Sequence, residues 1–491
     1  MNTASRAKTA ALTIQPAILD IVSCILGCCM YHNRKRRNMV QNVIGGSEQV
    51  VHDLEAQMQG RVTGRGDEGY ESARKVWNGA VDHYPIAIAF CKSAEDVQVA
   101  VRTARAHNMP VSVRGRGHDG AGRSVRSDAL VIDLSLMDHV HIDDQIATVA
   151  GGATAAKVIA AATARNLMAV TGWNGVPGMT GLTTAGGYGP LIASHGLALD
   201  SLCGAELVLA DGQRLTVDQN KNPDLLWALK GGGGNFGVVT SMKVRLHPAR
   251  PVLGGMILFP WGEAETVLGR FAKAIGSASN NLSVVIGIIS LPDGSPALFL
   301  APAWTGELSD GEIAMEVLKR CGKPMHVQIA SMSYQELIQS FDARVANDKH
   351  YALETRWMPA LNPEAISALI EGGASRTSPF STIILQHFRG LPTQFAPDST
   401  AFGLRREHVL VEIIAGWDPT AGDNGSVHKR WARDLCQTLA PMSLPGGYPN
   451  LLGPHAQDQI AHAYGNNITR LQAVKRWFDP NGLFSATPLS L

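Results

Sequence analysis

Apolar and polar positions alternate in two styles along the chain, and the change falls near Pro251. Between residues 70 and 250, short apolar runs are separated by tight turns and helical stretches. VSV (111–113) and LVIDL (130–134) read as short buried strands, and IATVA (146–150) leads into a helix over 154–165. Ser93, with Asp96 three residues on, is a capping-box signature that opens a helix over 94–106. LVLADGQRLTV (207–217) sets Asp211-Gly212 between two apolar runs, a strong hairpin signal, and VVTSMKVRL (238–246) alternates with a strand's period. After Pro251 the runs lengthen: MILF (256–259), LSVVIGIISL (282–291), ALFLAPAW (297–304), TIILQHF (382–388) and HVLVEIIAGW (408–417). Helical periods near 263–275, 311–321, 334–341, 363–372 and 427–439 separate them. Long strands with helices segregated between them predict an antiparallel sheet covered on one face, so the fold class is α+β.

Composition narrows the class. A chain of 491 residues exceeds one ordinary core, and 45% apolar with 17% charged residues is a globular composition. Forty-three basic residues against forty-two acidic ones leave a net charge of +1, which gives no field for nucleic acid or an anionic membrane. Seven cysteines, odd in number and without metal-ligand spacing, point to a reducing, cytoplasmic setting and no bound metal. AILDIVSCILGCCM (17–30) is broken by Asp20 and too short to span a bilayer. Residues 1–45 therefore read as a variable extension, with the folded part starting near Met39.

Thirteen of the fifty-one glycines cluster in three stretches: RGRGHDG (114–120), GMTGLTTAGGYG (178–189) and KGGGGNFG (230–237). GRGHDG and GGGNFG both match G-x-G-x-x-G, and Asp133 lies about where a ribose-binding acid would sit. A dinucleotide fingerprint, however, must open a helix directly after its strand, and residues 121–128 carry no helical period. Successive backbone N–H groups in such loops form anion-binding nests, and three of them can surround a long phosphate-bearing ligand.

These stretches, together with DLLWALKGGGGNFGVVTSMKVRLHP and YGNNITRLQAVKRWFDPNGLF (464–484), resemble the FAD-linked oxidases of the berberine bridge enzyme-like group. That group lies within the vanillyl-alcohol oxidase, or PCMH-type, flavoprotein superfamily. The resemblance covers roughly residues 70–250 and 405–491, and it implies a two-domain fold. An FAD-binding PCMH-type domain would span 46–255 and a substrate domain 256–455, with 456–491 returning to the first. It also implies that FAD is held by Arg114, Gly115, Arg116, Gly117, His118 and Asp119 of the first loop. The second stretch and the residues just ahead of it would supply Asn174, Val176, Gly178, Met179, Gly181, Leu182, Gly186, Gly187 and Gly189, the end of the third and the strand after it Gly237, Val238 and Val239, and the last helix Asn467. His118 occupies the place of the histidine that bonds to the ring's 8-methyl carbon; imidazole is a nucleophile near neutral pH. Asn174 stands where many relatives carry a second, cysteinyl tether, so a single covalent bond is expected. Arg116 and Ala185 replace glycines of the family pattern, and Pro177 sits where relatives place a small residue that gates dioxygen.

On the substrate side, Tyr448 and Asn450 in LPGGYPNLLG resemble the family's Y-x-N element, with Tyr448 as a candidate base. His387 and Glu412 are ionisable groups on apolar strands and further catalytic candidates. Alternation groups His387 with Ile383 and Leu385, and Glu412 with Leu410 and Ile414. The reaction expected is hydride transfer from a small alcohol, sugar or amine onto histidyl-linked FAD. Dioxygen would be the acceptor and hydrogen peroxide the product, in a monomer or homodimer. The alternatives are a dehydrogenase with another acceptor and a flavin-binding protein without turnover.

Overall fold

The computed structural model describes residues 48–343, 349–419, 422 and 424–489. The expected extension 1–45 and the start near Met39 lie outside the described residues. Three sheets organise the chain. The first runs Arg61–Gly64, Ala87–Phe90, Leu130–Asp133, Val111–Arg114 in space, and its last three strands are parallel. Ala87–Phe90 and Leu130–Asp133 are buried at every position, as a sheet covered on both faces requires. The helix Ala94–Ala106 makes the crossover. Its capping box is only half formed: Ser93 accepts the Asp96 N–H at 3.3 Å, but the Asp96 carboxylate turns elsewhere. It receives the amides of Gln59 (2.7 Å), Gly60 (3.0 Å) and Lys92 (2.8 Å), which pins the preceding turns to the helix start.

The second sheet runs Val140–Asp143, Ile146–Ala150, Val238–Pro248, Leu202–Val208, Arg214–Asp218, and Leu167–Ala169 joins the far end of Val238–Pro248. The Asp211-Gly212 hairpin forms as expected between Leu202–Val208 and Arg214–Asp218. The second glycine stretch is not a plain loop, because Met179–Ala185 is helical and buries Met179 and Ala185. Gly187 then turns the chain at φ +87°, with the place of a Cβ only 2.5 Å from that of Ala198.

The third sheet is seven-stranded and antiparallel, in the order His326–Met332, Val252–Pro260, Pro296–Trp304, Leu282–Ser290, Thr382–Phe388, His408–Trp417, His350–Met358. Its first strand begins at Val252, four residues ahead of the expected boundary at 256. Both edge strands were missed by pattern; most of His326–Met332 is exposed and shows no apolar period. Helices Ala264–Ile275, Leu308–Lys319, Pro363–Ala374 and Ser426–Leu439 cover one face. The register sets Ile257, Leu300, Ile286, Leu385 and Val411 in one buried row beneath them. Each such side chain contributes roughly 1.5–3 kcal/mol by burial. The adjacent row, Leu258, Phe299, Gly287, Ile384 and Glu412, faces the other way, toward the first two sheets. The last helix, Ile468–Phe478, packs Leu471 and Val474 on the second sheet's core, and Phe484 enters the first sheet's. No helix among the described residues is long and apolar enough to cross a membrane.

Candidate active site

A cavity of about 360 Å³ is bounded by all three glycine stretches and by the free face of the third sheet. Strand Val111–Arg114 ends at its wall and feeds the loop carrying His118. Gly117 adopts φ +66°, a left-handed turn that a side chain would strain, and this brings His118 into the wall. The imidazole stacks on Trp77, with ring centroids 4.6 Å apart and planes 14° from parallel. Burial lowers its pKa, so the ring is neutral at pH 7 with a lone pair available.

The two arginines of the loop serve its architecture. Arg114 donates to Asp133 and to the carbonyls of Ala73 (2.6 Å) and Lys75 (3.2 Å), so its guanidinium lies behind the cavity. Asp133, the would-be ribose acid, is spent on Arg114 and Ser135. Arg116 reaches the wall, but its Nε donates to the Gly152 carbonyl at 2.5 Å and an Nη faces Asp138. Asp119 is held by Arg123 (2.8 Å), which also donates to the Pro449 carbonyl (3.3 Å) and to that of Asn450. Arg123 thereby ties the His118 loop to the segment carrying Tyr448.

The wall fits a long anionic ligand. Added Cβ atoms at Gly120 and Gly181 would meet nothing within 4 Å, and at Gly115 only a carbonyl at 3.4 Å, so bare backbone faces open space. Ser112, Ser124 and Thr180 line the same cavity, and their buried hydroxyls have no hydrogen-bond partner in the protein. Orphaned polar groups of this kind are costly unless a ligand satisfies them.

The structure brings fourteen of the expected residues into the wall. From the first loop come Gly115, Arg116, Gly117, His118 and Asp119; from the second, Asn174, Gly178, Gly181, Leu182 and Gly187. Gly237, Val239, Glu412 and Tyr448 complete them. Others lie elsewhere. Val176 is 48% exposed, while Met179 and Val238 fill the cores of the second and first sheets. Gly186 and Gly189 permit close packing, against the Tyr448 ring and the Thr171 carbonyl respectively. Asn467 donates to the carbonyls of Pro397 (2.8 Å) and Thr400 (3.0 Å), and so holds a loop away from the cavity wall.

His387 and Glu412 point to opposite faces of the third sheet. His387 pairs with Val409 and meets Phe271 edge-on beneath the helices, where burial lowers its pKa to about 4. It is placed away from the cavity, and parity along the strand is the reason. Its neighbour Gln386 lines the cavity instead and donates to Glu412. Burial raises the Glu412 carboxyl to about 7, partly opposed by that amide. Tyr448 accepts the Gly187 N–H at 2.9 Å, yet burial pushes its phenol well above the ordinary value. Among the described residues, no cysteine lines the cavity.

The C-terminal segment closes one side through Ser485 and Ala486. Buried Lys475 donates to the carbonyls of Asn235 and Phe484, both at 2.6 Å, and to Asp479. Asp479 does more than end the helix, since it also accepts the amides of Leu483 (2.9 Å) and Phe484 (2.8 Å). Lys475→Met strands that carboxylate and is expected to destabilise the protein by about 3–5 kcal/mol, read as a fall in Tm.

Pattern reading overlooked Trp77, Ser112, Arg123, Trp173 and Gln386. Gln386 alone carried a usable signal, being offset by one residue from His387 on a strand whose faces differ.

A family model described as "FAD binding domain" matches residues 85–218, and one described as "Berberine and berberine like" matches 447–488. The FAD-linked oxidoreductase YvdP of Bacillus subtilis is 30% identical over 442 residues, covering 87% of this chain and 97% of its own. FAD-linked oxidoreductase pgmH of Aspergillus terreus is 33% identical, covering 89% and 95%. (R)-6-hydroxynicotine oxidase of Paenarthrobacter nicotinovorans is 29% identical, covering 87% and 95%. The crystal structure of 6-hydroxy-D-nicotine oxidase from Arthrobacter nicotinovorans superposes with a TM-score of 0.81 at 28% identity, over 88% of this chain and 97% of that one. With the glycine-lined cavity, the histidine loop and the closing C-terminal segment in one arrangement, the chain belongs to the berberine bridge enzyme-like FAD-linked oxidoreductases of the PCMH-type superfamily.

Proposed function

We propose that this protein is an oxidase that takes hydride from a small, largely apolar alcohol or amine, using FAD tethered through His118 alone. The observation that carries the reading is that one cavity presents both a neutral imidazole and the side chains of Glu412 and Tyr448. FAD supplies the hydride acceptor when bound. The loops around Gly115, Gly181 and Gly237 would hold its phosphates and ring, with Ser112, Ser124 and Thr180 as hydroxyl partners. His118 would make the covalent bond.

The remaining work falls to side chains of the third sheet. Glu412, near half-ionised at pH 7, is the better proton acceptor for the substrate's O–H or N–H. Tyr448 stays protonated in its buried position and would orient the substrate heteroatom beside the Gly186-Gly187 turn. Val285, Phe299 and Ala301 pack with Trp173, Met256 and Ile384 into an apolar cluster on the same side of the sheet, and Trp173 of that cluster lines the cavity. The Trp173 ring in the wall favours an apolar donor with one polar handle over a hydroxyl-rich sugar. Tyr448→Phe is expected to slow flavin reduction about 3–10-fold, the worth of one hydrogen bond. Stopped-flow bleaching under anaerobic conditions measures it, with apolar alcohols and amines screened against oligosaccharides. Bleaching by oligosaccharides alone would overturn the substrate reading.

Pro177 lines the cavity at the position where the resemblance puts the dioxygen gate. It favours a second reading in which another acceptor reoxidises the flavin. Mixing photoreduced protein with aerated buffer decides between the two: rapid return of the oxidised spectrum with peroxide release supports the oxidase, and persistent bleaching the dehydrogenase.

A further inference from the structure

The His118 imidazole is one layer of a three-ring stack that crosses from the first sheet to the third. Trp77 lies on His118 at 4.6 Å, and Tyr351, on the edge strand His350–Met358, stacks on Trp77 in turn at 4.5 Å and 6°. The stack is clamped along its length. The Trp77 backbone N–H donates to the Gly117 carbonyl at 3.0 Å, next to the histidine itself. Buried Asn78 donates to the carbonyls of Gly120 (2.8 Å) and Tyr351 (3.0 Å) and accepts the Tyr351 N–H at 2.9 Å. The indole N–H is buried without a hydrogen-bond partner. With its one polar group unsatisfied, Trp77 makes its contacts here through its ring faces.

We propose that Trp77, backed by Tyr351 and clamped by Asn78, is a positioning residue that fixes the plane of the His118 imidazole for covalent attachment of the flavin. This rests on the tether assigned to His118 above. In that attachment the imidazole nitrogen bonds to the ring's 8-methyl carbon. The N–H hydrogen and one methyl hydrogen leave with two electrons in total, and dioxygen takes them up as hydrogen peroxide. Bond formation needs the nitrogen lone pair aimed at one carbon, and a ring free to rotate about its side-chain bonds would rarely present it. The flat stack removes that freedom by packing against the ring's face.

The test compares full-length wild type, Trp77→Leu, Trp77→Phe and Tyr351→Leu, each purified with saturating FAD. For each, the flavin retained by the acid-precipitated chain, total bound FAD and Tm are measured. Trp77→Leu is expected to bind FAD and melt near wild type while its covalent fraction falls at least tenfold. Trp77→Phe, which keeps an aromatic face, should recover most of that fraction, and Tyr351→Leu should show an intermediate loss. Covalent flavin in Trp77→Leu at the wild-type yield overturns the proposal. So does a Phe variant as poor as the Leu variant, or a covalent loss that merely tracks lost FAD binding and lowered Tm in both Leu variants. A wild type holding only extractable FAD overturns the tether itself, and this proposal with it.

Discussion

Acid precipitation of His118→Ala is expected to leave a colourless pellet and all of the FAD in the supernatant, where the wild type keeps its flavin with the chain. The cavity offers no thiol or second imidazole in its place: among the described residues no cysteine and no histidine besides His118 lines it, and Asn174 stands where the resemblance puts a second tether. FAD binding itself should survive, because the bare backbone at Gly115, Gly120 and Gly181 and the unpartnered hydroxyls of Ser112, Ser124 and Thr180 do not depend on the imidazole. The reductive rate should still fall tenfold or more, equivalent to about 1.4 kcal/mol of barrier. A nitrogen substituent on the ring withdraws electrons and makes it a better hydride acceptor, and the alanine variant loses that. Potentiometry on the variant should find a lower midpoint than the wild type. Covalent flavin persisting in His118→Ala would overturn the tether, and an unchanged midpoint would remove its electronic role.

Local signals carried the fold where burial repeats with a strict period. The five long strands after Pro251 and the helices between them were legible because one face of each is apolar throughout. The edge strands were not: His326–Met332 shows water most of its side chains, so pairing with Val252–Pro260 rather than composition makes it a strand. The site divides the same way. Glycine stretches and a lone histidine marked the cofactor wall, since backbone exposure demands glycine locally. Arg114 could not be placed from sequence, because whether a guanidinium meets a phosphate or Asp133 depends on a strand nineteen residues on. Trp77 and Tyr351 are 274 residues apart along the chain and meet only through packing of two sheets. His387 shows how a single residue's offset decides a role, since Gln386 beside it faces the cavity and His387 faces the helices.

That parity makes Glu412, one strand over on the cavity side, the position where substitution should cost most in turnover. Glu412→Gln is expected to lower the rate of flavin reduction by about 10²–10⁴, the usual worth of a positioned general base. The size alone would not assign the role, but the pH profile does. Burial raises the carboxyl to about 7, so the proton-accepting form grows in as pH rises through that value. The wild-type reductive rate should therefore climb across neutrality and level off above it, while the glutamine variant stays slow and flat. Stability should move the opposite way. Between the ordinary carboxyl value of 4.5 and about 7 the folded protein holds a proton that the unfolded chain has lost. Wild-type stability then falls as pH rises through that window, and the Gln variant should lack this part of the slope. Tyr448 supplies the control: with its phenol pushed far above neutrality it cannot produce an inflection near 7. An inflection that survives in Glu412→Gln and disappears in Tyr448→Phe would hand the proton to the phenol and reverse the two roles.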